Sequence, residues 1–134
     1  MPESRARILV IEDNEDNMQL IAYLLRAHGF SPDLAYSGAE GLALALAKQP
    51  QLILLDIRMP GMDGYEVAAA VRGHPELAAT RVVAVTASAM VGDRERIVAA
   101  GFDGYIQKPI DPERFIGEVQ RFLPAALTHG ATSP

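Results

Sequence analysis

Cysteine is absent from this 134-residue chain, which excludes disulfides, thiolate nucleophiles and cysteine-rich zinc sites. Runs of basic residues are absent too. With a net charge of −5, the bulk electrostatics argue against nucleic acid as a direct partner. No apolar stretch approaches the length of a membrane span. The segment Met1-Pro2-Glu3-Ser4-Arg5 is polar and lacks the apolar core of a signal peptide, so a cytoplasmic location is expected. The three histidines, His28, His74 and His129, show no metal-ligand spacing and read as surface residues. What remains is ordinary for a soluble globular domain: 49% hydrophobic and 22% charged residues.

The apolar runs are short and recur. Leu52-Ile53-Leu54-Leu55 ends in the carboxylate of Asp56, and Pro60-Gly61 turns the chain soon after. Such a run is too short for a helix and too apolar for a half-exposed strand, so it reads as a buried central strand of a parallel sheet. Ile8-Leu9-Val10-Ile11 is a second, ending in Glu12-Asp13. Leu34-Ala35-Tyr36 is a weaker one. Val82-Val83-Ala84-Val85 ends in Thr86, and Gly104-Tyr105-Ile106-Gln107 ends in Lys108-Pro109.

Helical patterns separate the runs. Asn14 or Asp16 caps a helix whose inward stripe is Met18, Ile21, Ala22 and Leu25, stopped by His28-Gly29. Ser37 caps a second, with Ala39, Leu42, Ala43 and Leu46 expected on its inner face. Asp63 caps a third, through about Arg72. Ala87-Ser88-Ala89 leads into a fourth, stopped near Ala100-Gly101. Asp111-Pro112-Glu113 opens the last, with Phe115, Val119, Phe122 and Leu123 facing inward. Five strand–helix alternations with short links predict an α/β, doubly wound parallel sheet over residues 7–123. Residues 124–134 carry no periodic pattern and are expected to be a loose tail or linker.

In such sheets ligands bind beyond the carboxyl ends of the strands. There the topology would gather Glu12, Asp13, Asp56, Thr86 and Lys108. Each alone has a simpler reading: an acid after a strand is a helix cap, a threonine bonds locally, a lysine is a solvated charge. Together they form a constellation. Clustered carboxylates raise one another's pKa, Lys108 offsets part of this, and a hard divalent cation such as Mg²⁺ offsets more. Beside a metal, Asp56 becomes a credible nucleophile towards a phosphoryl group, with Thr86 and Lys108 placed to bind its oxygens.

The set Glu12-Asp13, Asp56 followed by Met59-Pro60-Gly61-Met62-Asp63-Gly64, Thr86-Ala87 and Lys108-Pro109 resembles the receiver domain of bacterial two-component response regulators, over nearly the whole chain. The segment 86–96 looks most like single-domain receivers of the DivK or CheY type. The resemblance implies a flavodoxin-like fold of strand order 2-1-3-4-5 with five helices. It implies that Asp56 accepts a phosphoryl group from a histidine kinase or phosphotransfer protein. It further implies that Glu12, Asp13, Asp56 and the backbone carbonyl of Arg58 hold Mg²⁺, and that Thr86 and Lys108 bind the phosphoryl group. Ala87 leaves room for that group, Tyr105 is the aromatic switch residue, and the Lys108-Pro109 peptide is cis. Arg58 and Ser88 flank the pocket and bear on how long the phosphoryl group lasts. The output is binding to a downstream protein at the surface formed by the Met90-Val91 helix, strand five and the last helix, which is also the expected homodimer face. The chain would catalyse only its own phosphorylation and slow dephosphorylation.

Two alternatives stand beside this reading. One is a receiver cut from a hybrid kinase or a multidomain regulator. The other is an aspartate-nucleophile phosphatase for small molecules, which wants a second aspartate two residues after the nucleophile; Arg58 holds that place.

Overall fold

The computed structural model of the chain describes residues 6–87 and 90–124. Ser88, His129 and the 125–134 part of the expected tail therefore lie outside the described residues. The apolar runs are strands: β1 (Ile8–Ile11), β2 (Asp33–Ala35), β3 (Leu52–Asp56), β4 (Arg81–Thr86) and β5 (Gly104–Gln107). The helices between and after them are α1 (Glu15–Ala27), α2 (Gly38–Lys48), α3 (Gly64–Arg72), α4 (Val91–Ala99) and α5 (Pro112–Gln120). All strand pairs are parallel and the order is β2-β1-β3-β4-β5.

Strand β3 is central and buried along its whole length, because helices cover both faces of the sheet. Its alternate residues feed two cores. Leu52 and Leu54 join Ile8, Val10, Val83 and Val85 against Met18, Ile21 and Leu25 of α1 and Phe115 and Val119 of α5. Ile53 and Leu55 join Leu9, Ile11, Val82 and Ala84 against Val67 and Val71 of α3 and Ile97 of α4. The helix starts are the capped ones the residues suggest. The side chains of Asn14, Ser37 and Asp111 accept backbone N–H bonds, and Asp63 and Glu66 form a reciprocal capping box.

Two local expectations differ from the structure, and one element has no counterpart in the sequence reading. Tyr36 lies past the end of β2 and is 40% exposed. A 3₁₀ turn, Pro75–Leu77, buries Leu77 where no periodic pattern announces it. The inner face of α2 is Gly38, Gly41 and Ala45, whereas Ala39 and Ala43 are exposed and Leu42 and Leu46 are half-buried. The reason is close packing. A Cβ on Gly41 would lie 2.3 Å from Ile11 Cδ1, so the helix turns its smallest residues, rather than its most apolar ones, towards β1.

At the opposite end from the carboxylates, one side chain ties the sheet to the helices. Arg72 at the end of α3 donates to Thr80 O (2.9 Å), Gly101 O (3.0 Å) and Asp103 Oδ2 (2.7 Å). Asp103 Oδ2 also accepts from the Val82 amide at 2.8 Å. This fixes where β4 and β5 begin, and hence where they deliver Thr86 and Lys108.

Gly64 does the same for Asp56. A Cβ there would meet Asp56 O at 2.6 Å and Ile57 Cα at 2.7 Å, both backbone atoms that cannot step aside. Gly117, in α5, has open space around it. Gly64→Ala is therefore expected to destabilise the fold by about 1–3 kcal/mol, as overpacking does. Gly117→Ala should stabilise it by about 0.5–1 kcal/mol through helix propensity alone. Urea unfolding of both variants checks this; equal effects of one sign would contradict it.

Candidate functional site

The strand ends converge as the residue order requires. Asp56 closes β3 and Thr86 closes β4; both are 6% exposed. Glu12, directly after β1, is 1% exposed, and its amide donates to Ala35 O at 3.0 Å. Asp13 is exposed beside it. A ligating oxygen of each of Glu12, Asp13 and Asp56 lies within 4.8 Å of the others. Lys108, just after β5, reaches in: its Nζ stands 3.1 Å from Glu12 Oε1 and 3.3 Å from Asp56 Oδ1. The Lys108 amide donates to Thr86 O at 2.7 Å, which binds the ends of β4 and β5 together. The Lys108-Pro109 peptide is cis, as the resemblance implies.

These residues line one open cleft with Asn14, Asn17, Arg58 and Ala87. Asn14 has a second task beyond capping, since its amide donates to Glu12 Oε2 at 3.1 Å. Asn17 was not singled out from sequence. The signal was available: it lies one helical turn after Asn14 and so shares its face. The Arg58 amide donates to Asp56 Oδ1 at 3.3 Å. Tyr105 is half-buried and sits away from the carboxylates. It pairs with Ala84 across β4–β5, two steps before the Thr86–Gln107 pair, and packs on the core shared with α3 and α4. His28 bonds to Leu24 O and His74 faces Glu76, both apart from the cleft.

Burial is the main reason that Glu12 is pushed up from its ordinary 4.5 to about 7. The Asn14 amide opposes the shift, the neighbouring Asp56 adds to it, and Lys108 again opposes it. For Lys108, burial alone would lower the pKa, but the carboxylates of Asp56 and Glu12 outweigh it and raise the value. Among the described residues, Glu12 Oε1 is buried and accepts no hydrogen bond; the ammonium beside it is an ion-pair contact. A buried carboxylate oxygen without a hydrogen bond, in an all-oxygen cluster open to water, suits a hard cation of the Mg²⁺ kind.

A pH dependence follows. The folded state holds the Glu12 proton more tightly than the unfolded chain does. The contribution of this group is complete below about pH 4.5 and is lost as pH rises through about 7. Without Mg²⁺, the melting temperature of the wild type should fall relative to Glu12→Gln across that window. Added Mg²⁺ should restore the wild type near pH 8 and do little near pH 5, where about the same carboxyl is protonated. Parallel curves for the two proteins would remove Glu12 from the account.

Comparison with known proteins agrees with this geometry. The response regulator receiver domain family matches residues 8–120. The polar-differentiation response regulator DivK of Brucella anthropi is 42% identical over 123 residues, covering 92% of this chain and 98% of that one. The chemotaxis protein CheY4 of Vibrio cholerae superposes with a TM-score of 0.84 at 28% identity, over 89% of this chain and 99% of that one. The receiver domain of a sensor histidine kinase from Pseudomonas aeruginosa PAO1, solved with a magnesium ion in its active site cleft, superposes with a TM-score of 0.81. It is 31% identical, with 88% of this chain and 97% of that one covered. In sequence, in strand order and in fold, this chain belongs to the response regulator receiver domain family.

Proposed function

We propose that this chain is a phosphorylation-dependent signalling switch in which Asp56 takes a phosphoryl group from the phosphohistidine of a kinase or phosphotransfer protein. The observation that carries the reading is Asp56 itself, a buried carboxylate at the end of the central strand with Lys108 Nζ 3.3 Å away. A carboxylate oxygen of Asp56 attacks phosphorus, the bond from phosphorus to the donor imidazole breaks, and the electron pair leaves with the imidazole nitrogen. Lys108 moves from pairing two carboxylates to pairing a phosphoryl oxygen. The Thr86 hydroxyl donates to another, and Ala87 leaves the space for them.

Glu12, Asp13, Asp56 and the Arg58 carbonyl would hold Mg²⁺. Once bound, the ion neutralises charge on the carboxylates and on the transferring group. The ion in the cleft of the related kinase receiver supports this choice of metal. Arg58, two residues after Asp56, removes the acid/base group that a small-molecule phosphatase would need there. Turnover is therefore confined to the chain's own phosphorylation and slow loss of the phosphoryl group.

Readout runs from Thr86 to Tyr105. Drawing the Thr86 hydroxyl towards the phosphoryl group opens space beside β5, and the half-buried Tyr105 ring turns inward to fill it. The surface that changes is α4, β5 and α5, where Met90 and Val98 stand 74% and 70% exposed and offer apolar contact to a partner protein or a second copy. No described helix is long and apolar enough to cross a membrane, in keeping with action in the cytoplasm.

The assignment is tested with acetyl phosphate and Mg²⁺. Intact-mass measurement should show one added phosphoryl group, stable to acid and labile to base, that is absent from Asp56→Asn. An amide is a poor nucleophile and offers no charge to a cation. Sustained turnover of ordinary phosphate monoesters by the wild type would instead favour the phosphatase.

A further inference from the structure

Helix α4 borders the proposed signalling face. Of its described side chains, Ile97 is the buried one, at 1% exposure, while Arg94, Glu95, Arg96 and Val98 are exposed. Two arginines tie it to its neighbours through aromatic rings. The Arg96 guanidinium lies 4.1 Å from the centroid of Tyr65, on α3. The Arg94 guanidinium lies 5.8 Å from the centroid of Tyr105, on β5. Both distances are within the range in which a cation is attracted to a ring face.

The two contacts differ in what their rings can do. Tyr65 also meets Phe102 edge to face, with centroids 6.0 Å apart and planes at 87°, so its ring has two neighbours that hold it. Tyr105 sits at the rim: half-buried, packed on the core at one side and lining an open groove with Gln107, Lys108, Pro109 and Arg114 at the other. Its cross-strand neighbour is Ala84, a small residue. A contact made equally in two states shifts nothing between them, whereas one made in a single state biases the equilibrium by its whole free energy.

We propose that Arg94 is a positioning residue that holds the Tyr105 ring in its outward, resting orientation, so that the contact between them is part of the free-energy gap the phosphoryl group must overcome. This rests on the reading of Tyr105 as the switch residue. The Arg96–Tyr65 contact, by contrast, belongs to both states. Arg94 is exposed, so its substitution leaves the core intact.

The experiment follows the Tyr105 ring by NMR with ring-labelled tyrosine, its signals assigned by their loss in Tyr105→Leu. Beryllofluoride with Mg²⁺ serves as the phosphoryl mimic. In Arg94→Gln the ring signals should move towards their beryllofluoride-bound positions before any mimic is added. The mimic should then bind about two- to fivefold more tightly, as loss of a solvent-accessible cation–π contact predicts. Arg94→Lys should fall between. In a Tyr105→Leu background the Arg94→Gln effect should vanish, and Arg96→Gln should leave affinity for the mimic unchanged. The proposal is overturned if Arg94→Gln changes neither signal nor affinity, if it acts equally without the Tyr105 ring, or if Arg96→Gln matches it. Should the wild-type ring stay still at saturating beryllofluoride while the Asp56 amide shifts, the switch reading of Tyr105 itself fails, and this proposal with it.

Discussion

Like charges crowded at the end of a buried strand are the constraint on which this structure turns. Asp56 and Glu12 are almost fully removed from water, Asp13 adds a third carboxylate at the rim, and one ammonium, that of Lys108, faces the buried pair at 3.1 and 3.3 Å. One positive charge cannot balance three negative ones in a poorly screened site. Burial above all, with Asp56 beside it, lets Glu12 hold a proton up to about pH 7, which eases the imbalance. A bound cation would relieve it further, and a phosphoryl group on Asp56 would add negative charge that the cation and Lys108 must offset.

The scaffold exists to keep those groups together. The Arg72 network sets where β4 and β5 start, Gly64 lets α3 abut the backbone of Asp56, and the bond from the Lys108 amide to Thr86 O ties the far ends of β4 and β5. Each fixes the position of a backbone segment, so the carboxylates are held near one another despite their repulsion. The surface around α4 is built differently. Among the described side chains of helix α4 Ile97 is the buried one, and Arg94 and Arg96 reach tyrosine rings on β5 and α3.

The site was legible from sequence because every functional group stands at the end of an apolar run, and parallel topology brings all such ends to one edge. Glu12, Asp13, Asp56, Thr86 and Lys108 could therefore be gathered on paper. What escaped depends on three-dimensional closeness that no periodicity carries. The inner face of α2 is chosen by the approach of Gly41 to Ile11 and not by apolarity, so Ala39 and Ala43 pointed the wrong way. Asn17 lines the cleft only because α1 turns that face to Asp56. The placement of Arg94 and Arg96 over rings from β5 and α3 depends on how α4 is rotated, which its sequence pattern does not specify.

The central claim, that the acids at the strand ends form a cation-dependent phosphoacceptor site, is tested most directly by titrating the protein with Mg²⁺ while following backbone amide signals. The account predicts that the amides of residues 12, 13, 56 and 58 move first and together, with the modest affinity of a largely hydrated ion. Signals at those positions that stay still up to about tens of millimolar Mg²⁺ would contradict it.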